Sequence, residues 1–258
     1  ELGSFPRLRT WLDPGSRPPR PETVVEATVP LAADLTGETA TDAESKTALA
    51  GGPRARTNLG PALDSFVGRE TELAELAERF AAGARLVTIK GTGGAGKTRF
   101  ACRFARSRWD ELAGGAWFVD LTEARTAVGL LHATAMALEV PLRGEGFDAL
   151  AAQVGHAISG RGPVLLVLDN FEQVVQHASV TLGRWLQMAP EASFLVTSRE
   201  SLKLGGEQVF VFAPLPEADG AVLFELRARA AGATLPQDPQ TRATIARIVA
   251  AVDGLPLA

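Results

Sequence analysis

The residues best suited to chemistry are Gly91-Thr92-Gly93-Gly94-Ala95-Gly96-Lys97-Thr98, which satisfy G-x-x-x-x-G-K-[ST] at every fixed position. A run of this kind cradles phosphate. Four glycines let successive backbone N–H groups turn inward on a β-phosphate where a Cβ would obstruct the approach. A helix starting at the end of the run adds its unpaired N–H groups and its dipole. Lys97 supplies a mobile positive charge for β- and γ-phosphates, and the Thr98 hydroxyl can replace a water on Mg²⁺. Three more groups suit the same chemistry. Asp169 closes the apolar run Val164-Leu165-Leu166-Val167-Leu168 and can hold Mg²⁺ directly or through water. Glu172 is a candidate general base, or simply a first-turn helix acid, because Asn170, where many ATPases place a second acid, carries an amide that cannot accept a proton. Arg199, in Thr197-Ser198-Arg199-Glu200, offers a guanidinium fork to a γ-phosphate; Thr197 and Glu200 also have the spacing of a helix capping box, which would leave Arg199 in a solvated first turn.

These residues need elements to hold them, and the hydrophobic pattern supplies alternating strands and helices. Leu86-Val87-Thr88-Ile89 reads as a strand and Arg99–Ala105 as part of a helix, so the glycine run sits at a strand-to-helix turn. Before it, Glu70 to Phe80 places Leu73, Leu76, Ala77 and Phe80 on one helical face, with Asp64 or Ser65 as a cap and Gly83 as the stop. After it, strands are expected at 115–121, 163–169, 193–198 and 208–212. Helices are expected at 127–138, 147–159 and 179–188. Strands that are apolar throughout, with helices between them, form a parallel sheet covered on both faces. The stretches 218–230 and 241–252 read as helices without an intervening strand, the start of a helical subdomain over 216–258. Residues 63–215 form the α/β domain. Residues 13–62, rich in Pro, Thr, Ala and Gly and without an aromatic side chain, read as an extended or disordered linker, in which Val24-Val25 and Val29 could pair as a short strand. Residues 1–12, with Leu2, Phe5, Leu8, Trp11 and Leu12, read as the end of an upstream domain. A first residue that is not methionine and a last segment that stops after Gly254-Leu255-Pro256-Leu257 suggest a piece of a longer polypeptide.

Composition narrows the partners. Of 258 residues 46% are hydrophobic, enough for a real core, and the net charge of −4 gives no pull toward nucleic acid or anionic membrane. No apolar run has membrane-spanning length and no signal segment opens the chain, so a cytoplasmic location is expected. The lone Cys102 excludes an internal disulfide. His132, His156 and His177 lie in helical stretches and read as surface or core residues rather than ligands. Arg99, Arg103 and Arg106 share one helical face, read as solvated rather than as a nucleic-acid stripe.

Phe66-Val67-Gly68-Arg69-Glu70, the glycine run, Leu165 to Glu172, Thr197-Ser198-Arg199 and Gly254 to Leu257 occur in the order of the NB-ARC type of signal-transduction (STAND) ATPase, which this chain resembles from about Leu63 to Ala258. The resemblance implies a P-loop NTPase fold: three α/β/α layers around a mostly parallel five-stranded sheet, with the Arg199 strand between the glycine-run strand and the Asp169 strand. It implies ATP and ADP with Mg²⁺ as cofactors. Val67 and Arg69 would border the adenine and Pro256 would cap it; Gly91 to Thr98 and Arg99 would hold the phosphates; Thr98 and Asp169 would hold the metal; Lys97, Asp169, Glu172 and Arg199 would act in catalysis. Proteins of this family act as switches closed by ADP and opened by ATP, with an effector on the same chain, possible self-assembly on ATP, and no direct DNA contact from this part. Asn170 suits bacterial members and slow hydrolysis. The winged-helix domain, its phosphate-contacting histidine and the repeats have no counterpart in these residues. The expectation is the switch core of a larger bacterial signalling or transcriptional regulator. The alternatives are a continuously cycling motor or P-loop enzyme, and a passive nucleotide-stabilised oligomerisation scaffold.

Overall fold

The computed structural model describes residues 57–61 and 66–256. The expected upstream remnant, most of the linker, its Val24-Val25 and Val29 strand, and the Asp64 and Ser65 caps lie outside those residues.

Helix α1 spans Glu70–Ala81, strand β1 Leu86–Lys90, α2 Lys97–Arg108 and β2 Ala116–Asp120. Helices α3 (Ala127–Ala137) and α4 (Phe147–Ser159) lead to β3 (Val164–Asp169), and α5 (Leu182–Met188) leads to β4 (Ala192–Ser198). Strand β5 (Glu207–Val211) precedes α6 (Glu217–Ala230) and α7 (Pro239–Ala251). The expected elements are all present, with one correction, at the start of α5. The N-cap position of α1 is Arg69, in the left-handed region (φ 74) and without a side-chain cap bond of its own. Helix α5 begins three residues later than expected, because Phe171–Gln173 and Val175–His177 form tight 3₁₀ turns first.

The strands pair in the order β2-β3-β4-β1-β5, every pair parallel. Alternation along each strand divides the core. Leu166 and Leu168 of β3, with Leu86, Phe194 and Val196, pack under α3, α4 and α5 around the fully buried Trp185. Leu165 and Val167, with Val87, Ile89 and Leu195, pack against α1 and α2 through Leu76, Phe100 and Phe104. Strand β4 sits between β1 and β3, as the resemblance implied, so the carboxyl ends of β1, β4 and β3 stand side by side. Ligands gather at such ends in open α/β sheets.

Three connections bear on the site. The β4–β5 link has no helix; the Glu207 carboxylate accepts from Leu202 N (2.8 Å) and Lys203 N (2.7 Å) and Leu202 is buried, which ties the link down. Thr197 and Glu200 therefore form no capping box: no helix follows, and Glu200 N donates to Ser198 Oγ at 3.1 Å. Residues 57–61, the end of the stretch read as linker, lie along the β2 edge, where Thr57 bridges Ala116 and the Asn58 amide donates to Phe118 O and accepts from Phe118 N. The arginine face of α2, read as solvated, meets this incoming chain instead: Arg106 Nε donates to Gly60 O at 2.8 Å and Arg103 lies 5.9 Å from the Phe66 ring centroid. No helix among the described residues is long and apolar enough to cross a membrane.

Candidate functional site

The glycine run turns from β1 into α2, with Gly96 as the helix N-cap at φ 92. Lys97 is the first residue of α2, and its Nζ donates to the carbonyls of Gly91 (2.9 Å) and Thr92 (2.8 Å), so the ammonium lies folded over the loop. Burial disfavours its charge and lowers its pKa; Glu172 and Asp169 oppose this, while Arg199 adds to it.

The next side chain, Thr98, points to the end of β3. Its hydroxyl lies 2.8 and 3.0 Å from the two carboxylate oxygens of Asp169. Thr197, at the end of β4, donates its hydroxyl to Asp169 Oδ1 and accepts from Asn170 N at 3.0 Å. Asp169 is 3% exposed. Burial raises its pKa, the hydroxyls of Thr197 and Thr98 pull it back, and the charges of Asp120 and Glu172 push it further up. A carboxylate and a threonine hydroxyl meeting at one point make a set of hard oxygen donors, which suits Mg²⁺. Among the described residues no three His, Cys, Asp or Glu side chains cluster as a metal site, so a cation here would keep other ligands.

Glu172 is largely buried, with one oxygen 3.3 Å from Arg199 Nε and the other enclosed without a hydrogen-bond partner among the described residues. Arg199 is 70% exposed in its side chain, and its Nη2 lies 3.3 Å from where a Cβ on Gly93 would be. The arginine therefore reaches across the second glycine of the loop. Lys97, Asp169, Glu172 and Arg199, from three separate stretches of sequence, meet at one place.

A concave pocket adjoins the far side of the loop, lined by Val67, Arg69, Ala95, Gly96, Arg99 and Pro256, all named from the sequence, and also by Phe66, Phe212, Leu215 and Leu223. Arg69 is buried. Its guanidinium is bonded through Nη1 to Glu72 Oε1 and through Nη2 to Ala213 O, both at 2.6 Å, and lies 4.3 Å from the Phe212 ring centroid, so it is held in place as part of the pocket wall. Phe212, Leu215 and Leu223 went unread as site residues because apolar side chains at strand ends and on helices look the same whether they face a core or a ligand. Cys102 is half-buried, its thiol pushed up to about 11 by burial, so it stays protonated at neutral pH. His132 and His156 are exposed and His177 half-buried, none at the loop. A larger cavity of about 340 Å³ lies at the opposite end of β1, between Gly83, Leu186 and Gly206. Its one charged wall, Arg85, is bonded to the carbonyls of Leu186, Ala189 and Ala192, which leaves no convergent chemistry there.

Comparison with known proteins bears on the fold that carries these residues. Residues 81–201 match the family described as "AAA domain". An uncharacterised protein of Mycobacterium tuberculosis is 33% identical over 199 residues, covering 76% of this chain and 49% of that protein. A second M. tuberculosis protein, provisionally named an HTH-type transcriptional regulator, is 35% identical over 175 residues, 67% of this chain and 19% of its own length. This chain thus spans half or less of these relatives. Among solved structures, Cdc6p of Pyrobaculum aerophilum superposes with a TM-score of 0.52 at 19% identity, over 64% of this chain and 52% of that one. A Walker-type ATPase of Pyrococcus abyssi does so with 0.52 at 14%, over 74% and 65%. Fold and matched domain agree: the chain has the α/β fold of P-loop NTPases, with the glycine run at its β1–α2 turn.

Proposed function

We propose that this chain is the ATP- and ADP-binding switch core of a larger bacterial regulator, of the NB-ARC (STAND) type, with slow Mg²⁺-dependent hydrolysis. The observation that carries the reading is the meeting of Lys97, Thr98, Asp169, Glu172 and Arg199 on one side of the glycine run, with an apolar pocket on the other. The relative named as a transcriptional regulator supports the cellular setting.

On this reading the adenine lies between Val67, Arg69 and Pro256, and the phosphates lie along Gly91 to Arg99. Lys97 leaves the carbonyls of Gly91 and Thr92 for the β- and γ-phosphates. Thr98 and Asp169 hold Mg²⁺, which neutralises phosphate charge when bound. Arg199 leaves Glu172 for the γ-phosphate, a fork-shaped donor for phosphate oxygens. Glu172 is then free to accept a proton from water; a single base on a 3₁₀ turn fits slow turnover. Contacts made only by the γ-phosphate distinguish ATP from ADP, and moving a switch from mostly closed to mostly open takes about 5.5 kcal/mol of such difference. The likeness supports effector domains on the same longer chain and self-assembly on ATP.

The test is titration of ADP and ATP into the full-length protein with Mg²⁺, read by affinity and hydrodynamic radius. Different radii with the two nucleotides, lost in Lys97→Ala, support the switch. Equal affinities and radii would sink it, and turnover near 1 s⁻¹ or faster, about the low end of ordinary enzymes, would favour a motor or P-loop enzyme.

A further inference from the structure

Beside the metal-facing carboxylate lies a chain of hydrogen bonds that the phosphate chemistry leaves unused. Asn170 follows Asp169 in the left-handed region (φ 59, ψ 41), a conformation asparagine tolerates well. Its Nδ2 lies 2.8 Å from Thr122 Oγ1 and 3.2 Å from Asp169 Oδ2. Thr122 Oγ1 in turn lies 2.5 Å from Asp120 Oδ1, which also accepts from Thr122 N at 2.8 Å.

Donor chemistry fixes every direction in this chain. The carboxylate of Asp120 only accepts, so the Thr122 hydroxyl proton is used there and the Thr122 oxygen must accept from Asn170. The carboxylate of Asp169 also only accepts, so it too faces the amide nitrogen. Both N–H groups of Asn170 are thereby taken, one by Asp169 and one by Thr122. On the backbone, Asn170 N is held by Thr197 Oγ1, and Asn170 O accepts from Gln173 N at 3.2 Å. Asp169 O receives Leu121 N at 3.1 Å, extending the β2–β3 ladder one residue past the end of β2. Of the two Asp169 oxygens, Oδ1 is thus set by the Thr98 and Thr197 hydroxyls and Oδ2 by Thr98 and Asn170.

We propose that Asn170 is a positioning residue: its amide, braced by Thr122 on Asp120, locks the Asp169 carboxylate in the rotamer that faces Thr98, rather than standing in for a lost second acid. The inference rests on the reading of Asp169 as a metal-holding group. An aspartate at this position would lose both donated hydrogen bonds and set a third acceptor-only carboxylate beside those of Asp169 and Asp120. It would not restore a base.

The experiment uses the full-length protein, a fluorescent ATP analogue and varied Mg²⁺, and reads the Mg²⁺ concentration that half-maximally tightens nucleotide binding. Partners that orient a metal ligand are worth about 10–100-fold in metal affinity. Asn170→Ala and Asn170→Asp are each expected to raise that concentration about tenfold or more, with Mg²⁺-free ADP affinity near wild type, a melting temperature near wild type for Asn170→Asp and a few degrees lower for Asn170→Ala, which lacks asparagine's tolerance of φ 59, and no gain in turnover for Asn170→Asp. Thr122→Val should shift it a few-fold and Thr122→Ser should restore it, and this pair decides the matter if the Asn170 variants fail to fold. Asp169→Asn separates the two readings. If it leaves the Mg²⁺ dependence unchanged, the metal-site reading fails and takes this inference with it. If it abolishes the dependence while Asn170→Ala and Thr122→Val behave as wild type, or if Asn170→Asp hydrolyses faster than wild type, only the positioning role is overturned.

Discussion

Three glycines of the loop, Gly91, Gly93 and Gly96, are required for three different physical reasons, and replacing each by alanine should give three different phenotypes. A Cβ on Gly91 would lie 2.4 Å from the backbone oxygen of Phe212, where ordinary contact begins near 3.4 Å, so about 1 Å of space must open. Phe212 cannot yield it easily: its N–H donates to Lys90 O at 2.7 Å, and its ring lies 4.8 Å from Phe100 and 4.3 Å from the Arg69 guanidinium. Overpacking of this kind costs about 1–3 kcal/mol, which in a domain of this size lowers the melting temperature by roughly 3–10 °C. On Gly96 a Cβ meets only Pro256 Cγ at 3.8 Å, but φ 92 strains any L-residue, by about 1–2 kcal/mol. Gly93 is different again. Its Cβ would touch only the end of the exposed Arg199 side chain, at 3.3 Å. Gly93→Ala should therefore melt like wild type, yet lose about tenfold in preference for ATP over ADP, the equivalent of one charge-assisted hydrogen bond. Thermal melts without nucleotide, paired with ATP and ADP titrations, separate the three. A Gly91→Ala protein that melts with wild type would refute the packing argument, and a Gly93→Ala protein as destabilised as Gly91→Ala would refute the assignment of that glycine to Arg199.

Other outcomes follow from single residues. Lys97→Met should abolish nucleotide binding without lowering the nucleotide-free melting temperature, because burial already disfavours the ammonium; failure to fold would instead support the passive scaffold. The hydroxyl of Thr88, buried in β1 with no partner among the described residues, is a cost that Thr88→Val should relieve, raising stability by about 1 kcal/mol in urea unfolding; a loss of similar size would contradict it. Asp238 caps α7 by accepting from Thr241 N, which lowers its pKa. Its folded pKa lies below its unfolded one, so its contribution is present at neutral pH and lost as pH falls through the folded value; Asp238→Ala should destabilise α7 at pH 7 by hydrogen exchange and match wild type in acid, and a difference that persists in acid would count against the cap.

Much of this arrangement is legible in the sequence, for reasons particular residues make plain. The strand Val164 to Asp169 has no polar residue before its last, and only a fully buried strand is written that way. The glycine run is legible because its spacing serves backbone geometry and little else. What stays hidden is side-chain direction. Thr197 reads equally well as a helix cap, and only the fold shows its hydroxyl on Asp169 instead. Arg103 and Arg106 present a polar helix face whose partners, Phe66 and Gly60, lie some forty residues upstream in a stretch with no periodicity. Asn170 looks like a missing acid until Thr122, from another strand's end, is seen beneath it.

The pocket beside the loop has walls of unequal strength, and that inequality bears on how a nucleotide could act as a switch. One wall, Arg69, Ala95, Gly96 and Phe212, is anchored in the core beside α2, where Ala95 and Phe212 are buried, Phe212 packs with Phe100 and Arg69 lies over the Phe212 ring. The other is made by Leu215, Leu223 and Pro256. Pro256 is held through its neighbours, by Leu215 N donating to Gly254 O at 3.1 Å and by partly buried Leu255 against the core edge. Within the helical pair, α7 buries only Ile245 and Val249. Burying one such side chain contributes about 1.5–3 kcal/mol, so the attachment of α7 is of the same order as the free energy by which two nucleotides must differ to move a switch. A tightly welded wall could not respond to a phosphate; a wall held by a few side chains can. Truncating Leu255 to alanine should accordingly loosen the hold on Pro256 and weaken ADP binding while leaving the melting of the sheet core unchanged. If that variant binds ADP as wild type does, the second wall contributes nothing, and the argument for coupling through Pro256 falls.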